Sequence, residues 1–364
     1  MRADAPIQRV TASAFRIPTD APESDGTFTW NSTTLLVVEV SAGNEVGLGY
    51  SYTHASAVSL VATLAPAVTG IEALDVPAAS TAATAALRNV GRSGLGATAL
   101  SALDCALWDL KGRLVSMPVV TLLGAARDAV PLYGSGGFTS YSVDRLTEQL
   151  GGWIADGFTR VKMKIGRSAR DDIARVEAAR RAIGPEAELF VDANGAYTRK
   201  QALALAARFA DCQVTWFEEP VSSDDLDGLA LLVDRAPAGM AIAAGEYAYD
   251  VDDFRSLLQK RAVDVLQADA TRCGGISGFL KAATLSEAWH LPLSAHTAPS
   301  IHAQVCSAVP HVCHIEYFHD HARIEQLLFD GAPRPRAGEI RADRTRPGLG
   351  LALKRADAEP YRCP

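Results

Sequence analysis

No run of about 18 uninterrupted apolar residues occurs in the 364-residue chain, so nothing in it is long enough to span a bilayer. The opening segment from Met1 to Val10 mixes Arg2, Asp4, Pro6 and Arg9. It lacks the apolar stretch of a secretory signal, which places the expected protein in the cytoplasm. Cys-x-x-Cys is absent as well. The six cysteines, Cys105, Cys212, Cys273, Cys306, Cys313 and Cys363, are scattered and read as reduced small hydrophobes rather than zinc ligands or a redox couple. There is no basic block, and the net charge is −7, which argues against nucleic acid or an anionic membrane as partner and leaves a small molecule. With 21% charged and 48% hydrophobic residues, the chain is neither disordered nor membranous in composition. Its length allows two ordinary domains or one large barrel with an attachment.

From about residue 130, short β-rich runs alternate with amphipathic helical stretches. The runs are 130–133, 160–165, 188–193, 214–219, 240–246, 263–269, 291–296 and 314–317. After the second, Ile173, Val176 and Ile183 share a helical face behind Asp171 and Asp172, where a first turn favours negative charge. After the third, Thr198 and Gln201 have capping-box spacing. Eight such units over 129–329 predict a (β/α)8 barrel with its active site at the carboxyl ends of the strands. A doubly wound sheet would need a glycine fingerprint that Gly134-Ser-Gly-Gly-Phe does not supply. Residues 1–128, with strand-like stretches at 10–17 and 34–40 and helical ones at about 54–69, 74–90 and 96–115, predict a separate α+β domain. The tail, 330–364, has no barrel unit left to join and is expected to return to it.

Polar residues stand at the carboxyl end of nearly every barrel strand: Lys162 and Lys164, Asp192, Glu218, Glu246, Asp269, His296 and Glu316. From Lys164 onward the gaps are 28, 26, 28, 23, 27 and 20, the period of a βα unit, so the set encircles one mouth. A buried acid is costly unless paired or bound to metal, and seven in register leave little room for isolated surface charges. Asp192, Glu218 and Glu246 end three consecutive strands. Three carboxylates without histidine or thiolate suit a hard octahedral cation, magnesium rather than zinc. Glu219 adjoins Glu218, and alternation along a strand would turn the two in opposite directions. Of the eight histidines, seven fall between 290 and 321. His319-Asp-His321 has the look of a ligand pair but no third ligand in sequence, so a second metal is not expected.

The segments VKMK (161–164), VDAN (191–194), WFEEP (216–220), AGE (244–246), QADATRCGG (267–275), SAH (294–296) and HIE (314–316) resemble the mandelate racemase-like subgroup of the enolase superfamily. So do SALDCALWDLKG (101–112) and the terminal PGLG (347–350). The resemblance covers nearly the whole chain. It implies a modified TIM barrel with an α+β N-terminal capping domain completed by the C-terminal tail. It also implies one Mg2+ per subunit on Asp192, Glu218 and Glu246, with Glu218 chosen over its neighbour. Lys164 would be one base and a His296–Asp269 dyad the base on the opposite face. Lys162 and Glu316 would contact a substrate carboxylate, with Asn194 nearby. By family position the acidic, mobile-looking stretch from Asp20 to Trp30 is the loop that closes over substrate, and Tyr50 to Tyr52 a second wall, so Trp30 and Tyr52 are substrate-facing candidates.

Such chemistry needs these residue types. A proton alpha to a carboxylate is too weakly acidic for a base alone, so charge building on the oxygens must be met by groups fixed in advance. Lys164 must be partly neutral to accept it, and Lys162 with the metal is expected to lower its pKa. Asp269 would orient His296. The expected activity is dehydration of an acid sugar. Racemisation or epimerisation of a 2-hydroxy acid is the alternative, with a cycloisomerase or a non-catalytic ligand-binding barrel behind it. No ligand or base is lost, which disfavours the non-catalytic barrel. Three acids in the closing loop, Asp20, Glu23 and Asp25, favour a monoacid over a sugar diacid. A homo-oligomer is expected.

Overall fold

The computed structural model describes residues 5–364, so the first four residues of the expected capping domain lie outside the described residues. The chain opens with an antiparallel sheet of β1 (Ile7–Ser24), β2 (Thr29–Ala42) and β3 (Glu45–Tyr52), in that spatial order. Helices α1 (Ala57–Val68), α2 (Val76–Ala86) and α3 (Leu95–Leu114) follow. The third strand is not evident in the sequence, because Gly47 and Gly49 interrupt its apolar pattern. They are there for packing: a Cβ on Gly49 would stand 2.1 Å from the Ala102 carbonyl oxygen, so only glycine lets α3 lie this close to β3.

The expected mobile loop at 20–30 is corrected to the end of a hairpin. β1 runs to Ser24 with an irregularity between Pro18 and Glu23, and pairing resumes at Glu23 opposite Trp30. The turn is closed by Asp25, whose Oδ1 accepts from the Thr27 and Phe28 amides at 2.6 and 2.7 Å.

A short helix, α4 (Val119–Leu123), leads into the barrel. Its units are β4 (Val130–Gly136) with α5 (Val143–Ala155), β5 (Arg160–Lys164) with α6 (Ala169–Ile183), β6 (Glu188–Asp192) with α7 (Arg199–Ala210), and β7 (Val214–Glu218) with α8 (Leu226–Arg235). They continue as β8 (Ala241–Ala244) with α9 (Val251–Gln259), β9 (Val265–Ala268) with α10 (Gly275–Ala288), β10 (Leu293–Ala295) with α11 (Pro299–Cys306), and β11 (Val312–Phe318) with α12 (His319–Leu328). Neighbours pair in sequence order and β11 pairs back onto β4, closing eight parallel strands. The capping box at Thr198 forms as its spacing requires. Asp172 does more than favour the start of α6. It is buried, accepting from the Gly166 amide at 3.0 Å and the Tyr197 hydroxyl at 2.7 Å, and so ties two βα loops together.

The sheet and helices of the first region sit on the barrel's carboxyl end. Ser51 Oγ donates to the Thr271 carbonyl at 2.7 Å, Tyr50 hydroxyl to Glu325 at 2.7 Å, and the Gly274 amide to Ser101 Oγ at 2.8 Å. The C-terminal tail returns to the same region. The Leu349 amide donates to Asp109 Oδ1 at 2.6 Å while the Leu48 amide donates to Oδ2 at 2.6 Å, and the Cys363 amide reaches the Ala14 carbonyl at 2.8 Å.

Candidate active site

Strand register builds the site. Lys164 lies opposite Asp192, and Asp192 opposite Glu218, so three strands deliver three charged side chains at one level. Glu246 comes from just past β8, after Gly245. There φ is +135° and a Cβ would stand 2.1 Å from the Gln267 carbonyl oxygen, so glycine alone fits where the chain turns inward. Carboxylate oxygens of Asp192, Glu218 and Glu246 all lie within 4.8 Å of one another, and all three residues are buried.

Two lysines approach this cluster from β5. Lys162 is fully buried, with its Nζ 2.6 Å from Glu218, 2.9 Å from Glu316 and 3.3 Å from Asp192. Lys164 Nζ donates to Asp192 at 2.5 Å and to Asn194 Oδ1 at 3.0 Å. Asn194 is held with φ at +44°, its amide bonded to Asp192 Oδ1 at 2.9 Å. Glu316 also accepts from Ser135 at 2.5 Å and from the Thr297 amide at 3.2 Å. From the other side His296 Nδ1 meets Asp269 Oδ2 at 2.8 Å, and its Nε2 lies 3.0 Å from Glu246 Oε2. Asp269 is aimed by Thr271, whose amide and hydroxyl both donate to Oδ1 at 2.7 Å.

Charge follows from these contacts. Burial opposes ionisation of Asp192, but Lys164 and Lys162 hold its carboxyl below the usual range. Burial likewise opposes charge on Glu246, and the neighbouring His296 outweighs it. Glu218 stands higher than usual, through burial and then the adjacent Asp192. Burial would lower His296, yet the charges of Glu246 and Glu316 and the bond to Asp269 lift it to about 9. Lys164 shows part of what was expected. Burial acts to lower it, as does Lys162, but its contact with Asp192 dominates and holds the ammonium above its ordinary value. A lysine two residues away loses to a carboxylate at 2.5 Å.

The donor set fits a hard divalent cation. Three acids supply oxygens only, and those oxygens converge within 4.8 Å of one another in a buried site. Lys162 and Lys164 neutralise part of the cluster, and a cation seated on Asp192 would take over the charge that now holds Lys164 protonated.

Sequence reasoning missed several residues here. Glu219 was expected to turn away from Glu218. Its backbone is left-handed (φ +37°), so strand alternation fails there. The side chain stays buried beside Glu246, Asp192 and Glu218, with Oε1 unpartnered and its carboxyl pushed up by burial and then by those acids. Arg272 places its guanidinium 3.7 Å from both Glu246 and Asp269. Trp216 Nε1 donates to Glu218 Oε2 at 2.9 Å; its motif, WFEEP, was noted for the acids alone.

The hairpin residues assemble at the mouth. Trp30 Nε1 donates to Glu23 Oε2 at 2.8 Å and packs edge-on to Phe138. Tyr52 is buried and stacks on His321. His319 and His321 diverge. His319 joins Asp20 at 2.9 Å, with Glu23 close by. Arg145 also pairs with Asp20 and Arg323 stands close, so resident cations answer that acidic group. Asp25 is spent on its turn. The three acids thus weigh less against a diacid than their number suggests.

Two family profiles match the chain. The mandelate racemase / muconate lactonizing enzyme N-terminal domain covers residues 10–124, and the enolase C-terminal domain-like profile covers 145–358. The chain is 32% identical to a 3,6-anhydro-alpha-L-galactonate cycloisomerase of Streptomyces coelicolor, over 85% of this chain and 88% of the relative. It superposes on the crystal structure of a mandelate racemase/muconate lactonizing enzyme-like protein from Rubrobacter xylanophilus with a TM-score of 0.96 and 52% identity, over 98% and 100% of the two chains. It also superposes on the L-talarate/galactarate dehydratase of Salmonella typhimurium LT2, liganded with Mg and L-lyxarohydroxamate. There the TM-score is 0.90 and the identity 28%, over 100% and 94%.

Proposed function

The chain belongs to the mandelate racemase / muconate lactonizing enzyme family of the enolase superfamily, and from that premise we propose that it is a magnesium-dependent acid-sugar dehydratase. The observation that carries the reading is the buried cluster of Asp192, Glu218 and Glu246, with Lys164 on one side of it and the His296–Asp269 pair on the other. The three acids would hold one Mg2+ per subunit. When bound, the cation supplies positive charge against the negative charge that develops on a substrate carboxylate.

The chain's own groups do the rest. Lys164 takes the α proton, and Asn194 fixes the direction of its Nζ. Lys162 is locked between Glu218 and Glu316 and places a permanent positive charge beside the carboxylate end. His296, oriented by Asp269, gives its proton to the departing β hydroxyl as the enediolate collapses. Atoms balance as loss of one water. Trp30 and Tyr52 line the cap side. The resemblance to a named dehydratase supports dehydration over the other outcomes the same residues allow. Racemisation is the second reading, favoured by the placement of Lys164 and His296 on opposite sides of the cluster. Six free cysteines accord with a reducing, cytoplasmic setting, and a homo-oligomer belongs to the same reading.

The test is a library of acid sugars assayed for loss of water with Mg2+ present and after exhaustive chelation, beside polarimetry on chiral 2-hydroxy acids. Metal-dependent dehydration of at least one acid sugar is expected. Turnover that survives chelation, or no reaction with either class, would end the proposal.

A further inference from the structure

His321 stands in the first turn of α12, five residues past Glu316, and the reaction above gives it no task. Its surroundings place it on the dyad's side of the site. Ser51 is pinned to the Thr271 carbonyl and Thr271 in turn holds Asp269, while the charge of Asp269 acts on Tyr52 and those of His296 and Asp269 on His321. The imidazole of His321 lies flat on the Tyr52 ring, 3.4 Å between centroids and 10° between planes, with the Phe318 ring edge-on at 5.0 Å. Only 7% of His321 is exposed, and its Nδ1 is buried with no hydrogen-bond partner. An unsatisfied buried nitrogen costs about 1–3 kcal/mol, so one left open beside a reaction centre points to a group that arrives with the substrate.

The chemistry of that group can be narrowed. Burial, and then the charge of His296, keep His321 well below its ordinary pKa and therefore neutral. A neutral imidazole offers one donor and one acceptor, a match for a hydroxyl, which also does both. Acids and cations both surround the stacked pair, Glu325, Asp320 and Asp269 on one hand and His296 and Arg272 on the other, so neither sign of charge dominates and a neutral hydroxyl suits the place.

We propose that the stacked Tyr52–His321 pair binds the hydroxylated chain of the substrate, with His321 Nδ1 hydrogen-bonded to a hydroxyl beyond the β carbon. The proposal rests on the acid-sugar reading.

The test uses the Mg2+-loaded full-length enzyme, the acid sugar that the wild type dehydrates fastest, and analogues of it lacking one hydroxyl at a time beyond the β carbon. One analogue should lose about 10- to 100-fold in kcat/KM with the wild type, the size of a lost hydrogen bond. His321→Phe keeps a ring on Tyr52 but no nitrogen. It should lose the same factor on the parent acid and nothing further on that analogue, with Mg2+ affinity unchanged. His321→Gln, which keeps a donor and an acceptor, should recover part of the discrimination and serves if the phenylalanine variant does not fold. If the variant's loss and the analogue's loss multiply, His321 acts only through packing and the inference falls while the dehydratase reading stands. If the wild type dehydrates no acid sugar, the underlying reading fails and this one with it.

Discussion

Two histidines inside the barrel, two residues apart along neighbouring strands, are equally hidden from water and end in opposite charge states. His314 and Ser294 sit opposite each other on β11 and β10; Glu316 lies two residues further along β11, and His296 two residues past Ser294, just beyond the end of β10. His314 is 6% exposed and His296 5%. Around His314 are the Ser294 hydroxyl at 2.9 Å and the rings of Tyr133, Phe190 and Trp216, with no carboxylate bonded to it. Burial, aided by Arg160 and Lys162, pushes it down to about 3. Around His296 stand Asp269, Glu246 and Glu316, and it rises to about 9. Burial is common to both, so the partners decide. The barrel therefore has an aromatic layer that holds it together and, directly above, a charged layer that spends stability on chemistry.

If this division holds, substitutions in the two layers should fail in different ways. Glu246→Gln, in the upper layer, should lower turnover by at least about 10³-fold and weaken binding of Mn2+, used as a probe for Mg2+. Its melting temperature should stay close to the wild type's. Trp216→Ala, in the lower layer, should cost about 3–5 kcal/mol of folding stability, measured by denaturant titration. Trp216→Phe sharpens the comparison, because Trp216 serves both layers through its bond to Glu218. It should keep stability within about 1 kcal/mol while weakening Mn2+ binding about 10-fold, the usual effect of losing a group that orients a ligand.

The smallest effect is in pH, read on metal-free protein. His296 is raised above its unfolded value, so the stability it contributes is full below about pH 6.5 and lost as pH rises toward 9. The gap in stability between wild type and His296→Asn should close over that range. His314 is depressed, so its gap to His314→Asn should close in the other direction, as pH falls from about 6.5 toward 3. Parallel profiles would mean that the two environments do not differ as described.

The barrel was legible because its strands are short apolar runs at a βα period, and a strand end is where a charged residue interrupts such a run. For the same reason Lys164, Asp192, Glu218, Glu246, Asp269, His296 and Glu316 could be picked out before any geometry was known. What could not be read depends on partners remote in sequence or on departures from ideal backbone. The hairpin acids looked like a solvated loop, since Asp20 finds Arg145 and His319 only 125 and 299 residues later. β3 was hidden by the glycines that admit α3. Glu219 defeated the alternation rule through its left-handed backbone, and His321 gave no signal beyond its spacing from His319, a ligand-pair look without a third ligand.

The central claim is that Lys164 takes the α proton while His296 acts as a separate acid from the other side of the acidic cluster. The most direct test follows deuterium by NMR, from deuterium oxide into the α position of an accepted acid, with Mg2+ present. His296→Asn should still exchange the proton of the stereoisomer that faces Lys164, because the lysine shares its protons with solvent, whereas Lys164→Ala should lose that exchange. Full exchange and full turnover by Lys164→Ala would contradict the account.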